Sequence, residues 1–352
     1  MTNGVPKIIT IGSATMDVFV ECEDANIVSV STKDHNSSFM SYPYGSKVEM
    51  TDFASNVGGG GVNTAINFAN LGFSTGAVFK IGDDIYSAGI LSKFKDTDVD
   101  LSYIIQDKTT STGFSIILVS FQGDRTVLAH RGANAEIRES EIKFEAMKDV
   151  EFIYIAPLNG ESNKVLLPIT KFARENDIKI CFNAGTTSIK KGFEYIKEVL
   201  KSAQIVVMNK EEASMATGIK VRPDTRDTKY SEGKIHPDVK EMLKALKICE
   251  KQIVVITDGG AGAYAYDGDK FYYCPVFPGK VVSTLGAGDA FASTFCAALG
   301  VTGKDIGKSL EYASVNSGSV VANFGATEGF LTFDEIKQKL ETMPEYKSEV
   351  VE

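Results

Sequence analysis

Six short apolar runs, separated by stretches of helical period, constrain the fold more than any other feature of this chain. They are "KIITIG" (7–12), "GAVFKIG" (76–82), "EFIYIAP" (151–157), "IKICFN" (178–183), "AQIVVMN" (203–209) and "QIVVITDG" (252–259). Several are apolar without alternation, the pattern of strands covered on both faces, and such strands are parallel with helical crossovers. "GVNTAINFANLG" (61–72), "NKVLLPITKFARENDI" (163–178) and "VKEMLKALKICE" (239–250) have the helical period, with Gly72 placed to stop the first. The expected fold class is α/β, a doubly wound, mainly parallel sheet. At 352 residues, a single α/β domain spanning 1–352 is expected.

Two regions break the rhythm. Residues 18–56 are polar, Ser-rich and alternating, and "TGFSIILVSFQGDRTVLAHRGA" (112–133) reads as a hairpin turning at Gln122-Gly123-Asp124. Together they predict a small β-sheet lid projecting over a site. The exposed alternation of "FSIILVSF" asks for cover, so a homodimer through the lid is expected. The charged segment 219–238 reads as a surface insertion.

A net charge of −9 argues against a nucleic-acid footprint. Five scattered cysteines without a CxxC pair, and three isolated histidines, argue against zinc. Cys181, Cys249 and Cys296 lie in apolar stretches and read as small buried hydrophobes. No apolar run reaches membrane-spanning length and "MTNGVPKIITIG" lacks a signal-peptide core, so no membrane contact and a cytoplasmic, reducing location are expected.

In "TLGAGDAFASTF" (284–295), Asp289 follows Gly286, Ala287 and Gly288 at the start of a helical stretch. Free first-turn N–H groups suit a phosphate, and glycines let it approach. A carboxylate beside them is useful as a base that takes a proton from an attacking hydroxyl. On the turn alone, a first-turn acid complementing the helix dipole is the better reading. "SNVGGGGVNTAINF" holds four glycines, Gly58 to Gly61, ahead of Asn63, which read as closely approached backbone. A dinucleotide loop needs a preceding buried strand that "EMTDFASNV" does not resemble. Asp17 follows the first strand by a few residues, where ligands of open sheets bind. Asn209 and Glu212 in "VVMNKEEASMATG" fit a hydrated magnesium ion or a capping box equally. Thr257, Gly259 and Gly262 in "VVITDGGAGAYAY" border either a phosphate loop or a plain turn.

In this order the stretches resemble the ribokinase-like (phosphofructokinase-B) superfamily of carbohydrate and nucleoside kinases, from Gly12 to about Gly329. "TLGAGDAF" is similar to the family signature D-T-x-G-A-G-D-x-F, "GGGGVN" to G-G-K-G-A-N, "RGANAEI" to the G-A-N after the lid, and "MNKEE" to N-x-x-E. The resemblance implies ATP-dependent phosphorylation of a hydroxymethyl group of a sugar. Asp289 would be the base, with Gly286, Ala287 and Gly288 as anion hole. Asp17, Gly59, Gly60 and Asn63 would line the sugar site. Asn209, Thr257, Gly259 and Gly262 would border ATP, and Glu212 would organise Mg²⁺ through water. Thr15 stands where the family places Asn, and Gly60 where ribokinases have Lys. Asn159 is the nearest polar candidate for a mid-chain sugar contact. Ser283 replaces the acid that begins the signature, so monovalent-cation activation does not carry over. A nucleoside kinase and a non-catalytic sugar or nucleotide sensor are the alternatives, because fold does not fix function.

Overall fold

All six apolar runs contribute adjacent parallel strands of one nine-stranded sheet. The structure is a computed structural model that describes residues 7–22, 25–32, 36–120, 125–222 and 235–351. The parallel strands lie in the order Ser74–Val78, Lys7–Ile11, Phe152–Ile155, Lys179–Asn183, Ile205–Asn209, Ile253–Thr257. Antiparallel strands Ala263–Tyr266, Phe271–Cys274 and Glu349–Val351 extend the last edge.

Period-two geometry divides each apolar run between two cores. Ile9, Ile155, Val206, Met208 and Ile256 meet the helices Leu166–Glu175, Phe193–Leu200, Lys210–Thr217 and Pro237–Leu246. Ile8, Tyr154, Cys181, Val207 and Val255 meet Gly60–Asn70, Ala287–Val301, Ile306–Val321 and Phe333–Glu341 on the opposite face. The sheet is therefore doubly wound, and its strand C-termini open toward the two glycine-rich segments.

Three expectations need correction. The run 76–82 divides: Ser74–Val78 stays in the sheet, whereas Lys80–Gly82 pairs with Ile105–Asp107. Lys80 carries a charge that an apolar sheet interior cannot hold, and its buried ammonium lies 2.8 Å from both Asp107 and Glu141. The helix of 163–178 begins as a 3₁₀ turn and is α-helical only over Leu166–Glu175. Cys181 and Cys296 are buried as read, but Cys249 is half-exposed past its helix, its thiol 2.9 Å from the Lys201 carbonyl.

The irregular regions form a separate four-stranded sheet of Arg125–His130, Gly113–Val119, Thr15–Glu21 and Asp52–Gly58. It starts three residues earlier than the sequence suggested, at Thr15 rather than at 18. A hairpin of Asn26–Ser31 and Asn36–Ser41 extends from it. The turn read at 122–124 and most of the 219–238 segment lie outside the described residues. Among the described residues no helix is long and apolar enough to cross a membrane.

Candidate active site

The helix Ala287–Val301 begins after Gly286, which adopts φ +76°. A Cβ there would lie 2.3 Å from the Ala326 carbonyl oxygen, so only glycine fits. Gly288 instead faces open space. The two glycines have different reasons: one shapes the turn, the other leaves room beside the first-turn amides. No side chain caps this helix. Its first N–H groups have no partner within the helix and point ahead of it.

Asp289 sits in that first turn and accepts a 2.8 Å hydrogen bond from Asn63 Nδ2. Burial pushes its carboxyl above the usual carboxylate range, and the bond from Asn63 works in the opposite direction. Asn63 is buried in the helix Gly60–Asn70, and its Oδ1 has no partner. A buried carbonyl left open in this way is fitted to a ligand hydroxyl.

The four glycines before Asn63 are approached closely, and mainly by their own chain. A Cβ on Gly59, at φ +99°, would meet the Ser13 carbonyl oxygen at 2.5 Å, and one on Gly60 would meet Ala156 at 2.7 Å. Gly60 also stands next to Asp289, whose Oδ1 would be 3.5 Å from its added Cβ. The cluster lets this helix dock against the end of the first strand, which sets Asn63 beside Asp289. Gly58 makes room for Asp17, since its Cβ would lie 2.3 Å from Asp17 Oδ2. Asp17 is buried on the inner face of the small sheet. Burial raises its carboxyl, while the hydroxyls of Ser115 and Thr15 and the charge of Arg131 lower it. Asn159 accepts from Thr187 Oγ1 at 3.0 Å and has no hydrogen bond to Asp289 or Asn63.

Beyond Gly288 lies a cavity of about 920 Å³ bordered by Asn209, Thr257, Gly259, Gly262 and Ala287. Thr257 and Asn209 are direct neighbours in the parallel register at the strand ends. Gly259 faces open space, but Gly262 is held by the fold, with its Cβ position 2.3 Å from the Cys274 carbonyl oxygen. Phe277 and Phe291 supply apolar wall suited to a flat base.

Asn209 and Glu212 complete a reciprocal capping box: Asn209 Oδ1 accepts from Glu212 N at 2.8 Å, and Glu212 Oε2 accepts from Asn209 N at 3.1 Å. Burial raises the Glu212 carboxyl to about 7, assisted by Glu211 and Asp289. Among the described residues no group of three or more His, Cys, Asp or Glu could hold a metal by itself. A magnesium ion at this place would be carried mostly by water and phosphate.

Other residues complete the site, and of these Arg125 carried no local signal in the sequence. Arg125, on the edge strand of the small sheet, donates from Nη2 to Thr284 Oγ1 at 2.9 Å and borders the cavity. Asn134, within "RGANAEI", ties the lid to the main sheet: its Oδ1 accepts from Ala14 N at 2.8 Å and its Nδ2 donates to Ala14 O at 2.7 Å. Beneath the site, Asn67 donates to Ser293 and Thr294 at 2.8 and 2.9 Å and accepts from Asn316 at 3.0 Å. Ser283 makes a local turn, accepting from Leu285 N at 3.3 Å.

A profile described as pfkB family carbohydrate kinase matches residues 7–332. A ribokinase of Bacillus subtilis is 28% identical over 335 residues, covering 95% of this chain and 99% of that one. A 5-dehydro-2-deoxygluconokinase of the same organism is 26% identical, covering 83% and 89%. Among solved structures, a Methanocaldococcus jannaschii nucleoside kinase superposes with a TM-score of 0.73 at 20% identity, covering 97% of this chain and all of that one. Arabidopsis thaliana ribokinase complexed with ribose and ATP gives 0.73 at 20% identity, covering 96% and 99%.

Proposed function

The chain belongs to the pfkB family of carbohydrate kinases, and we propose that it transfers the γ-phosphoryl group of ATP to a hydroxymethyl group of a sugar. The observation that carries this reading is the 2.8 Å bond between Asn63 and Asp289. It stands between the polar groups around Asp17 on one side and the cavity beyond Gly288 on the other. A base at that junction reaches both the acceptor hydroxyl and the phosphoryl group.

In this mechanism Asp17 and the open Oδ1 of Asn63 accept hydrogen bonds from the sugar. Asp289 takes the proton of the hydroxymethyl group as its oxygen forms a bond to the γ-phosphorus and the bond to the β-phosphate oxygen breaks. ADP leaves, and the proton on Asp289 passes to solvent. Amides of residues 286–288 face the charge on the transferring oxygens, and Arg125 adds a positive charge from the lid. Asn209 and Glu212 would hold a magnesium ion through its waters, and that ion would supply positive charge against the phosphates. The small sheet excludes water that would otherwise accept the phosphoryl group. An ADP-release assay over pentoses, hexoses, ketoses, sugar acids and nucleosides tests the proposal. Turnover with a sugar supports it; turnover with nucleosides alone, or nucleotide binding without turnover, overturns it.

Glu212 provides a check that needs no substrate. Its folded value of about 7 lies above the ordinary 4.5, so between these the folded protein holds an extra proton. Stability then falls as pH rises through that window. Glu212→Gln removes this penalty: relative to wild type, its metal-free melting temperature rises at about pH 8 and changes little at about pH 5. Equal shifts at both pH values would show that the buried charge is not the cause.

We also assign the outer surface of the lid to a homodimer. Val28, Phe39, Phe53 and Leu128 are 47%, 55%, 66% and 53% exposed on the small sheet and its hairpin, more apolar surface than a solvated sheet ordinarily leaves uncovered. Light scattering should give about twice the chain mass of 38.0 kDa, with Phe53→Asp returning the monomer. A monomeric wild type would refute the assignment.

A further inference from the structure

We infer that Asn56 is a specificity-determining residue of the acceptor site, donating a hydrogen bond to the polyol that Asp17 binds. The inference rests on the kinase reading above, and no motif in the sequence singles Asn56 out.

Asn56 and Asp17 are directly opposed across the antiparallel pair Thr15–Glu21 and Asp52–Gly58, and Ser115 opposes Asp17 on the other side. Residues in one such row project from the same face of a sheet. That face is the inner one: Asp17 and Ser115 are buried, and Phe19, two residues along, packs edge-on against Phe324 with ring centroids 4.8 Å apart. Asn56 reaches the same segment, since its Oδ1 lies 3.4 Å from where a Cβ on Gly325 would be. The next residue, Ala326, abuts Gly286 at the turn that opens the Asp289 helix. Asn56 therefore lies where the small sheet meets the catalytic turn.

Its Nδ2 is buried and has no hydrogen-bond partner. A buried amide donor left unpaired costs free energy unless something accepts from it. Asp17, directly across the strand pair, is an acceptor, and the site holds a second free acceptor in the Oδ1 of Asn63. A hydroxyl both donates and accepts, so one hydroxyl can give its proton to Asp17 and take the Asn56 N–H, while a neighbouring hydroxyl serves Asn63. The ligand class is a sugar with adjacent hydroxyls.

The test compares wild type, Asn56→Ala and Asn56→Ser with the sugar of highest turnover in the ADP-release panel and with its single-deoxy analogues. KM for the sugar should rise roughly 10-fold or more in Asn56→Ala, with kcat within a few-fold and KM for ATP unchanged. The penalty for the deoxy analogue that wild type rejects most strongly should shrink by about the same factor, which a merely structural role would not produce. Retained ATP-induced thermal stabilisation shows that each variant is folded, and Asn56→Ser serves if the alanine variant is not. An unchanged KM with undiminished deoxy discrimination overturns the role of Asn56 and leaves the kinase reading standing. If no sugar supports turnover in wild type, the kinase reading falls, and the inference with it.

Discussion

Asp289→Asn is expected to lower kcat by about 10²–10⁴-fold while KM for ATP changes little, the share usually carried by a general base. The substitution keeps the size of the side chain and its oxygen toward Asn63, so the 2.8 Å contact from Nδ2 need not be lost. What it removes is the capacity to receive a proton when the hydroxyl attacks. Burial raises the carboxyl of Asp289, which makes it a better proton acceptor than an exposed aspartate, while the bond from Asn63 favours the ionised form. In wild type, kcat should accordingly fall as pH drops through the Asp289 titration, because the protonated acid cannot act as base. The asparagine variant should lack that acid limb. A kcat within a few-fold of wild type, or an unaltered acid limb, would remove Asp289 from the reaction.

Asn316→Ala should be among the most destabilising single substitutions away from the reacting groups, by about 2–4 kcal/mol. Asn316 is fully buried, donates to Asn67 Oδ1 at 3.0 Å and to Thr294 Oγ1 at 2.8 Å, and accepts from Leu331 N at 2.9 Å. Truncation leaves the buried Asn67 and Thr294 oxygens facing a cavity rather than water and the half-buried Leu331 N–H without its acceptor. The network joins the helix carrying Asn63, the helix carrying Asp289 and the helix Ile306–Val321. Loosening it should therefore reduce kcat/KM as well as the urea midpoint. Ser317→Ala, which removes a single bond to the Ala287 carbonyl at 3.0 Å from a less buried position, should cost about 1 kcal/mol. Equal midpoints for the two variants would show that the network is not what holds these helices together.

Much of the candidate site was legible because its residue types carry their reasons locally. Gly286 must adopt a positive φ, Asn209 and Glu212 stand at capping spacing, and Asp17 follows a strand end. The structure separates glycines that the sequence treats alike. Gly59, Gly60, Gly262 and Gly286 are glycine because the fold's own backbone or side chains press on them, whereas Gly259 and Gly288 face open space. Arg125 and Asn56 could not be found from their neighbours in sequence, because each acts on a segment that topology brings to it.

The sequence alone determined the α/β class, the six parallel strands and the starts of the critical helices, because periodicity, steric allowance and capping act over a few residues. Tertiary structure decided which of these features meet. Asn63 and Asp289 are 226 positions apart, and Arg125 and Thr284 are 159 apart. Their contact depends on the order in which strands pair and on which face each helix covers. A short motif can hold a base and a turn, but the partner of the base is set only when the whole sheet has closed around it.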